Sequence, residues 1–250
     1  MLSGKKGVIF GIRSPRTIGW SIAEAAHQNG ATLCVSYRGE REQQRAEQLS
    51  NELGALALPC DVTDDADVQG LYDKLAQEWG TIDFIVHSVA FATLEDLQAG
   101  MVGTSRNGFS LMNEISAYSL IAITRPAVAL MPNGGSIIAM TYNAAERVVP
   151  MYAPMSAAKA TLECIVRYVA SELGPQNIRC NALSAGPVNT PASRGIPGFT
   201  ELIKKFPEHA PLRRTVELTE VANGAVFLLS DMASAVTGQT LFVDCGAHIM

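Results

Sequence analysis

A tyrosine and a lysine seven residues apart, Tyr152 and Lys159, are the side chains in this sequence best suited to managing charge at a reacting group. They flank the start of a predicted helix at about residues 154–173. Seven residues span nearly two helical turns, so a helix that carried both would place them on one face. A free phenol has a pKa of about 10, and a nearby ammonium group would lower it. The spacing predicts a proton-handling site, but it also occurs in helices without chemistry.

The elements that must position this pair alternate between strand and helix. Apolar, β-branched runs predict strands at residues 7–10, 31–36, 55–59, 84–87, 136–140, 178–184 and 239–243. Helical patterns cover about residues 18–29, 41–53, 64–79, 105–130, 154–173 and 219–229. This alternation predicts an α/β fold with a single Rossmann-like, doubly wound parallel sheet of about seven strands and helices on both faces. Residues 1–250 are predicted to form one domain.

Composition narrows the classes of function. Hydrophobic residues make up 48% and charged residues 17% of the chain, which is typical of a globular protein. A net charge of −5 argues against a general nucleic-acid binder. The sequence shows neither a stretch that approaches a membrane span nor a signal core. Five cysteines without a CxxC pair indicate reduced thiols, and four scattered histidines do not have metal-ligand spacing. We therefore expect a cytoplasmic protein without metal, nucleic-acid or membrane partners.

The turn after the first predicted strand is a candidate dinucleotide site. Gly11 would let the backbone approach a pyrophosphate, and the N-terminus of the following helix would favour its charge. The next glycine is Gly19, so the pattern is not G-x-G-x-x-G, and an ordinary strand-to-helix turn explains it equally well. Thr17 offers a hydroxyl that either contacts phosphate or caps the helix.

Further candidates follow other predicted strands at their carboxyl ends, where open α/β sheets bind ligands. Positions 36–38 contain no acid, and Arg38 there would stack on adenine, pair with a 2′-phosphate or remain solvated. Asp61, followed by Val62, would receive the adenine amino group or cap the next helix. Ser88 and Val89 follow the fourth strand, where a cofactor would pass.

Together these features resemble the short-chain dehydrogenase/reductase superfamily and, within it, the bacterial enoyl-acyl-carrier-protein reductases. In place of the usual superfamily patterns, the chain has Tyr-x6-Lys, Ala139 and Met140 near the usual serine position, and His87-Ser-Val-Ala at the usual Asn-Asn-Ala-Gly turn. The resemblance covers nearly the whole chain and is carried by Gly11-Ile-x5-Ile18, residues 87–92 and 115–119, Tyr142-x9-Tyr152-x6-Lys159, residues 181–190 and 210–214, Thr237-Gly and Val243-Asp.

The resemblance implies an oxidoreductase of fatty-acid elongation that reduces the trans-2 double bond of an enoyl thioester. It implies NADH as cofactor, with NADPH possible, acyl carrier protein as the partner that carries the substrate, and a homotetramer. Tyr152 would hydrogen-bond the thioester oxygen, Lys159 would hold the nicotinamide ribose, and Tyr142 would be a second active-site tyrosine.

The resemblance also implies a set of binding residues. Ala92 would border the substrate. The cofactor would be contacted by Gly11, Thr17, Ile18, Asp61, Val62, Val89, Lys159, Val188, Asn189, Thr190, Pro191 and Ala192. Arg38 and Ser88 join this set because of their positions after predicted strands.

Residues 186–211 form the one long stretch without a convincing strand–helix pattern, and they predict a substrate-binding loop. Its apolar side chains and glycines are typical of a lid over an acyl chain. Two alternative functions remain: a carbonyl (3-oxoacyl) reductase of the same superfamily and a non-catalytic dinucleotide-binding sensor. The missing upstream serine argues against the first, and the retention of both tyrosines and the lysine argues against the second.

Overall fold

The computed structural model of the protein describes residues 1–196 and 198–250, with Ala192 described by its backbone alone. In these ranges seven strands form one parallel sheet in the order 3-2-1-4-5-6-7, which confirms the predicted α/β architecture. The strands are β1 (Lys6–Phe10), β2 (Thr32–Tyr37), β3 (Leu56–Pro59), β4 (Phe84–His87), β5 (Gly135–Thr141), β6 (Ile178–Ala185) and β7 (Thr240–Val243).

Helices join the strands and cover the sheet. They are α1 (Ile18–Gln28), α2 (Glu40–Glu52), α3 (Asp65–Trp79), α4 (Leu94–Gly103), α5 (Arg106–Asn113), α6 (Ser119–Ala127), α7 (Ala153–Leu173), α8 (Pro191–Arg194), α9 (Phe199–His209) and α10 (Leu218–Leu229).

Two hydrophobic cores lie on opposite faces of the sheet. Side chains alternate between the faces along a strand, so Ile9 enters the core beneath α1 and α10, while Val8 and Phe10 enter the core beneath α3, α6 and α7. Strands that are buried on both faces lack the alternating polar pattern of a half-exposed sheet. That is why β1 and β4 appear in the sequence as continuous apolar runs.

The strand order reverses between β1 and β4. The chain runs outward from β1 to β2 and β3, then returns to β4 on the other side of β1. At this switch point the two turns that follow the strands touch: Ser88 N–H donates to the Phe10 carbonyl at 3.1 Å. A Cβ on Gly11, which has φ +95°, would lie 2.1 Å from the Ser88 carbonyl oxygen. Only glycine fits this turn, which opens the crevice where ligands bind in such sheets.

The predicted helix at residues 105–130 is interrupted. The chain runs through α5, a π-helical turn at Glu114–Tyr118, α6 and a short 3₁₀ turn. Side-chain hydrogen bonds hold the π turn: the Ser119 hydroxyl donates to the Ile115 carbonyl at 2.6 Å, and the Ser116 hydroxyl accepts from Phe91 N–H at 3.0 Å. Apolar periodicity does not register such bonds, so it predicted one uniform helix.

Residues 186–211, predicted to form a substrate-binding loop, contain two helices in the part that the structure describes. Pro191–Arg194 and Phe199–His209 are helical, and Gly198 begins the second helix from a left-handed conformation. Helix α4 was also missed; Gly100, with φ +69°, interrupts its regular geometry. In the sequence, glycines and prolines at these positions indicate loops, whereas in the structure they mark helix boundaries and a kink. Within the described ranges, no helix is long and apolar enough to cross a bilayer.

Helix α3 offers a matched test of the core. Leu75 is fully buried against the sheet, whereas Gln77 on the same helix is exposed. Leu75→Ala should lower the free energy of unfolding by about 2–5 kcal/mol because it removes buried methyl groups and leaves a cavity. Gln77→Ala should change it by no more than about 0.5 kcal/mol. Urea denaturation followed by circular dichroism measures both, and equal midpoints would contradict the assigned core.

Candidate active site

The carboxyl ends of the strands surround a cavity of about 1000 Å³. This lies at the upper end of the range of about 300–1000 Å³ for ligand pockets, so the cavity has room for a large ligand. The predicted residues that line it come from turns that are far apart in sequence: Gly11, Thr17, Ile18, Arg38, Asp61, Val62, Ser88, Val89, Ala92, Tyr142, Tyr152, Lys159, Val188, Thr190 and Pro191.

Tyr152 and Lys159 both face this cavity, but not as two residues of one helix. Tyr152 has a non-helical backbone and precedes the first residue of α7, whereas Lys159 lies inside the helix. The strained residue before the tyrosine, Met151 with φ +65°, turns the chain into the helix start. The Tyr142 ring lies edge-on to Tyr152, with ring centroids 5.0 Å apart and planes at 75°. The two phenol rings form an aromatic corner that lines the same cavity as Lys159.

The expectation that Lys159 lowers the pKa of Tyr152 is not met in this structure. Burial raises the pKa of the Tyr152 phenol above its usual value, and the neighbouring Tyr142 raises it further. Burial also raises the pKa of Tyr142, with a smaller contribution from the Asp244 carboxylate. Desolvation is the main cause, because a buried phenolate would lose its water. Both phenols are therefore neutral near pH 7 and able to donate hydrogen bonds.

Lys159 is a buried cation with a defined partner. Its side chain is 4% exposed, and Nζ donates to the Met140 carbonyl at 2.7 Å. Burial lowers the pKa of the ammonium to about 8, an effect that the Glu163 carboxylate one turn along α7 opposes. Glu163 accepts a hydrogen bond of 2.6 Å from the Thr141 hydroxyl. A chain of buried polar groups thus supports the lysine from the end of β5.

His87, the last residue of β4, is fully buried and neutral. Its Nε2 lies 2.7 Å from the Ser119 hydroxyl. That hydroxyl donates its hydrogen to the Ile115 carbonyl, so the hydrogen between the two side chains belongs to Nε2. Burial, followed by the charge of Lys159, lowers the pKa of His87 to about 3. The imidazole therefore does not exchange protons near neutrality; it ties β4 to the π turn.

The turn after β1 has the features of an anion site. The Thr17 hydroxyl accepts from Trp20 N–H at 3.2 Å and donates to the Ser14 carbonyl at 2.9 Å. These bonds favour its role as the cap of α1, one of the two readings left open by the sequence. The first turn of α1, Ile18-Gly-Trp-Ser, carries no charged side chain. Thr17 and Ile18 line the cavity, so the positive end of the α1 dipole lies beside it.

At the far end of the cavity the turn after β3 presents Asp61. Its Oδ1 accepts from the backbone N–H and the hydroxyl of Thr63, at 3.0 and 2.8 Å. Asp64, rather than Asp61, caps α3 by accepting from two backbone N–H groups. This outcome removes the capping alternative for Asp61. The buried thiol of Cys60 lines the same end, and burial raises its pKa to about 12.

The segment after β6 brings Val188, Thr190 and Pro191 to the cavity and leaves Asn189 outside its lining. The Asn189 side chain is exposed, and its Oδ1 accepts from Arg194 Nε at 2.8 Å. The chain makes a tight turn here, in which Thr190 N–H donates to the Val188 carbonyl at 3.0 Å, and this turn leaves the Asn189 side chain outside. The side chain of Ala192 lies outside the described residues, so its predicted contact stays a prediction.

Sequence reasoning missed much of the lining. Glu42 in the first turn of α2 and Arg13 in the turn after β1 both face the cavity. At the apolar end of the cavity, where a substrate would bind, the sequence had indicated only Ala92 and the loop residues Ile196, Phe199 and Leu202. The apolar lining of this end comprises Ala92, Leu94, Leu97, Ile115, Met140, Met155, Ile196, Phe199 and Leu202. The spacing of Leu94 and Leu97 was the available signal, but it belongs to the helix that was not predicted.

Among the described residues, no group of three or more histidine, cysteine, aspartate or glutamate side chains is placed to hold an ion. The cavity instead combines a cation, two neutral phenols, a helix N-terminus and an apolar end.

The family model described as enoyl-(acyl carrier protein) reductase matches residues 11–248. Enoyl-acyl-carrier-protein reductase (NADH) of Bacillus cereus is 44% identical over 253 residues, which cover 100% of this chain and 99% of the relative. The enzyme of the same name from Synechocystis is 46% identical, with coverage of 100% and 98%.

Solved structures give the same relationship. The crystal structure of the Bacillus cereus enoyl-acyl carrier protein reductase with NADP⁺ and indole naphthyridinone has a TM-score of 0.97, 44% identity and coverage of 100% of this chain and 98% of that chain. The enoyl-acyl-carrier-protein reductase of Anaplasma phagocytophilum in complex with NAD has a TM-score of 0.96, 43% identity and coverage of 100% and 95%.

The lowered pKa of Lys159 predicts a pH dependence of dinucleotide binding. An anionic dinucleotide favours the charged lysine, which the free protein loses as the pH rises through about 8. The dissociation constant of NADH should therefore be flat below about pH 7 and rise by up to about tenfold per pH unit above 8. Fluorescence titration measures it. Lys159→Met should bind more weakly and lose this pH dependence; a flat wild-type profile to pH 9.5 would contradict the assignment.

Proposed function

Because this chain belongs to the enoyl-acyl-carrier-protein reductase family, we propose that it reduces the trans-2 double bond of an enoyl thioester in fatty-acid elongation. The substrate would arrive on acyl carrier protein, and the reduced cofactor would be NADH. The observation that carries the proposal is the convergence of Tyr142, Tyr152 and Lys159 on one cavity that has an apolar end.

The cavity residues fit a nicotinamide dinucleotide. Gly11 brings the turn after β1 into contact with the turn after β4 and leaves no space for a side chain. Beside it, the uncharged first turn of α1 suits a pyrophosphate. Asp61 would hold adenine at one end, and Lys159 would hold the nicotinamide ribose at the other. When bound, the dinucleotide would supply the hydride.

Lys159 would contribute to this reaction through hydrogen bonds to the cofactor as well as through its charge. An ammonium group has three N–H donors, and the Met140 carbonyl takes one of them. The others can reach the ribose hydroxyls, while the positive charge offsets negative charge that develops nearby. Since Glu163 and Thr141 support the lysine from below, its ammonium can stay buried without moving toward solvent.

Tyr152 would stabilise the substrate as it reacts. Hydride addition at C3 of the enoyl group moves an electron pair onto the thioester oxygen, and the neutral phenol would donate a hydrogen bond to that oxygen. A preplaced donor stabilises such a developing charge more strongly than it stabilises the neutral carbonyl. Protonation at C2 then completes the saturated thioester. The Tyr142 ring, packed edge-on, would hold the Tyr152 ring in the orientation that this bond requires.

The carbonyl-reductase rival is disfavoured by the end of β5. Carbonyl reductases of the superfamily are expected to carry a serine thirteen residues before the tyrosine, where this chain has Ala139. Ala139 is fully buried in the core, and the nearby Thr141 hydroxyl donates to Glu163. Neither residue offers a hydroxyl to a substrate carbonyl. The sensor rival lacks a specific observation in its favour.

Helices α8 and α9 would form the substrate-binding segment predicted for residues 186–211. Ile196, Phe199 and Leu202 turn apolar side chains into the cavity, as an acyl chain requires. We also propose a homotetramer in the cytoplasm, as the family resemblance implies. Large apolar side chains that are exposed in the single chain support assembly: Phe109, Leu111, Tyr118 and Tyr168 on α5, the π turn and α7.

An assay of substrate choice tests the proposal. The purified protein should oxidise NADH with crotonyl thioester or longer trans-2-enoyl thioesters and leave 3-oxoacyl thioesters essentially unreduced, because it lacks the serine hydroxyl. Absorbance of the reduced cofactor reports both reactions. Oxidation driven by the 3-oxoacyl thioester alone would promote the carbonyl-reductase rival, and oxidation by neither would promote the sensor.

The role of Tyr152 predicts a specific kinetic defect. Tyr152→Phe removes the hydrogen bond to the thioester oxygen and should lower kcat by about 10²–10³, without abolishing turnover. The dissociation constant of NADH should stay within about threefold, since the phenol binds substrate and not the dinucleotide. Tyr142→Phe, which keeps the packed ring, is the matched control and should cost less. An unchanged kcat for Tyr152→Phe would remove the residue from the mechanism.

A further inference from the structure

The turn between β2 and α2 holds a carboxylate against two donors at the rim of the cavity. Glu42 Oε2 accepts from the Arg38 backbone N–H at 3.0 Å, and Oε1 lies 3.2 Å from Arg13 Nε. The Glu42 side chain is 28% exposed, and all three residues line the cavity. Glu42 therefore bridges the turns after β1 and β2 and places its negative charge inside the rim.

This rim is the part of the cavity where two nicotinamide cofactors would differ. In doubly wound sheets the end of the second strand meets the adenosine ribose, on which NADPH carries a 2′-phosphate and NADH a hydroxyl. Backbone N–H groups and guanidinium groups are the donors that bind such a phosphate. In this chain a backbone N–H of that kind and a guanidinium already serve the Glu42 carboxylate.

We propose that Glu42 makes this enzyme select NADH over NADPH. Its carboxylate takes two donors that a 2′-phosphate would use and repels the phosphate charge. The 2′- and 3′-hydroxyls of NADH can instead donate to it. This inference rests on the dinucleotide site of the proposed function and names the residue that sets its specificity.

From the sequence we expected NADH to be used and NADPH to be tolerated, without a residue that excludes the 2′-phosphate. The absence of an acid at positions 36–38 left Arg38 as the residue beside the ribose and removed the usual barrier to NADPH. The structure supplies the acid from the first turn of α2, because Gly39, with φ +67°, turns the chain sharply back over the end of β2. Glu42, four positions after Arg38, thus takes the role expected of an acid at the end of the second strand.

The choice of cofactor is open among similar proteins, which makes a residue-level test informative. The Bacillus cereus relative is named an NADH enzyme, while the crystal structure of the Bacillus cereus reductase contains NADP⁺. Arg38 remains at the rim of this chain, so removing the Glu42 charge would leave a guanidinium and a free N–H for a 2′-phosphate.

The test compares dissociation constants of NADH and NADPH, measured by fluorescence titration without substrate, for wild type, Glu42→Gln and Glu40→Gln. Glu40 lies in the same first turn of α2 but is exposed, so its substitution makes the same change in net charge. Wild type should bind NADH at least about tenfold more tightly than NADPH, and Glu42→Gln should reduce that ratio by about tenfold. Glu40→Gln should change it by less than about twofold because solvent screens an exposed charge.

Competition by adenosine 2′,5′-bisphosphate and by 5′-AMP against NADH shows whether the change in cofactor preference arises at the 2′-phosphate. Glu42→Gln should strengthen binding of the bisphosphate but not of 5′-AMP, since the two compounds differ only by the 2′-phosphate. Equal effects of the two glutamine variants, or equal binding of both cofactors by wild type, would overturn the inference. Dinucleotide binding with a ratio that Glu42→Gln leaves unchanged would overturn this inference alone. Failure of folded wild type to bind either dinucleotide would overturn the proposed function with it.

Discussion

A lysine ammonium buried at the end of a parallel sheet needs acceptors close by, because a buried charge without partners costs several kcal/mol. Lys159 meets this requirement with the Met140 carbonyl and with Glu163 one turn along α7. Both partners depend on the pairing of β5 with its neighbours and on the packing of α7 over the sheet. The position of the cation is therefore a property of the whole α/β layer, not of the cavity wall alone.

The positive charge of Lys159 also affects the neighbouring histidine. It adds to burial in keeping His87 neutral, and the neutral imidazole keeps its one N–H at Nε2, toward Ser119. His87 then connects the end of β4 to Ser119, whose hydroxyl closes the π turn. Because Ile115 in that turn lines the cavity, the shape of the apolar end is linked to the charge of Lys159.

The sequence predicted the sheet, its strand count and the convergence of turns at the carboxyl ends, because these depend on strong patterns: apolar runs, alternation and glycine at the switch point. It did not predict α4, α9 or the π turn, since glycines at helix boundaries and serine hydrogen bonds are invisible to periodicity. The raised pKa of Tyr152 was missed for another reason. A sequence shows that a cation is near a phenol, but only the packed structure shows how much water the phenol has lost. Glu42 was missed because its contact with Arg38 depends on the backbone of Gly39.

The raised pKa of the Cys60 thiol has a consequence for reactivity toward oxidants and electrophiles. Peroxides and alkylating agents attack the thiolate, and a thiol with a pKa of about 12 is almost entirely protonated in neutral water. Although this sulfur lines the cavity, it is a poor anchor for a covalent inhibitor and resists oxidative damage. Cys164 is exposed on α7, whereas Cys34, Cys180 and Cys245 are buried. In the unassembled chain, a sulfur-directed label should therefore mark the outside of α7 and leave the cavity untouched.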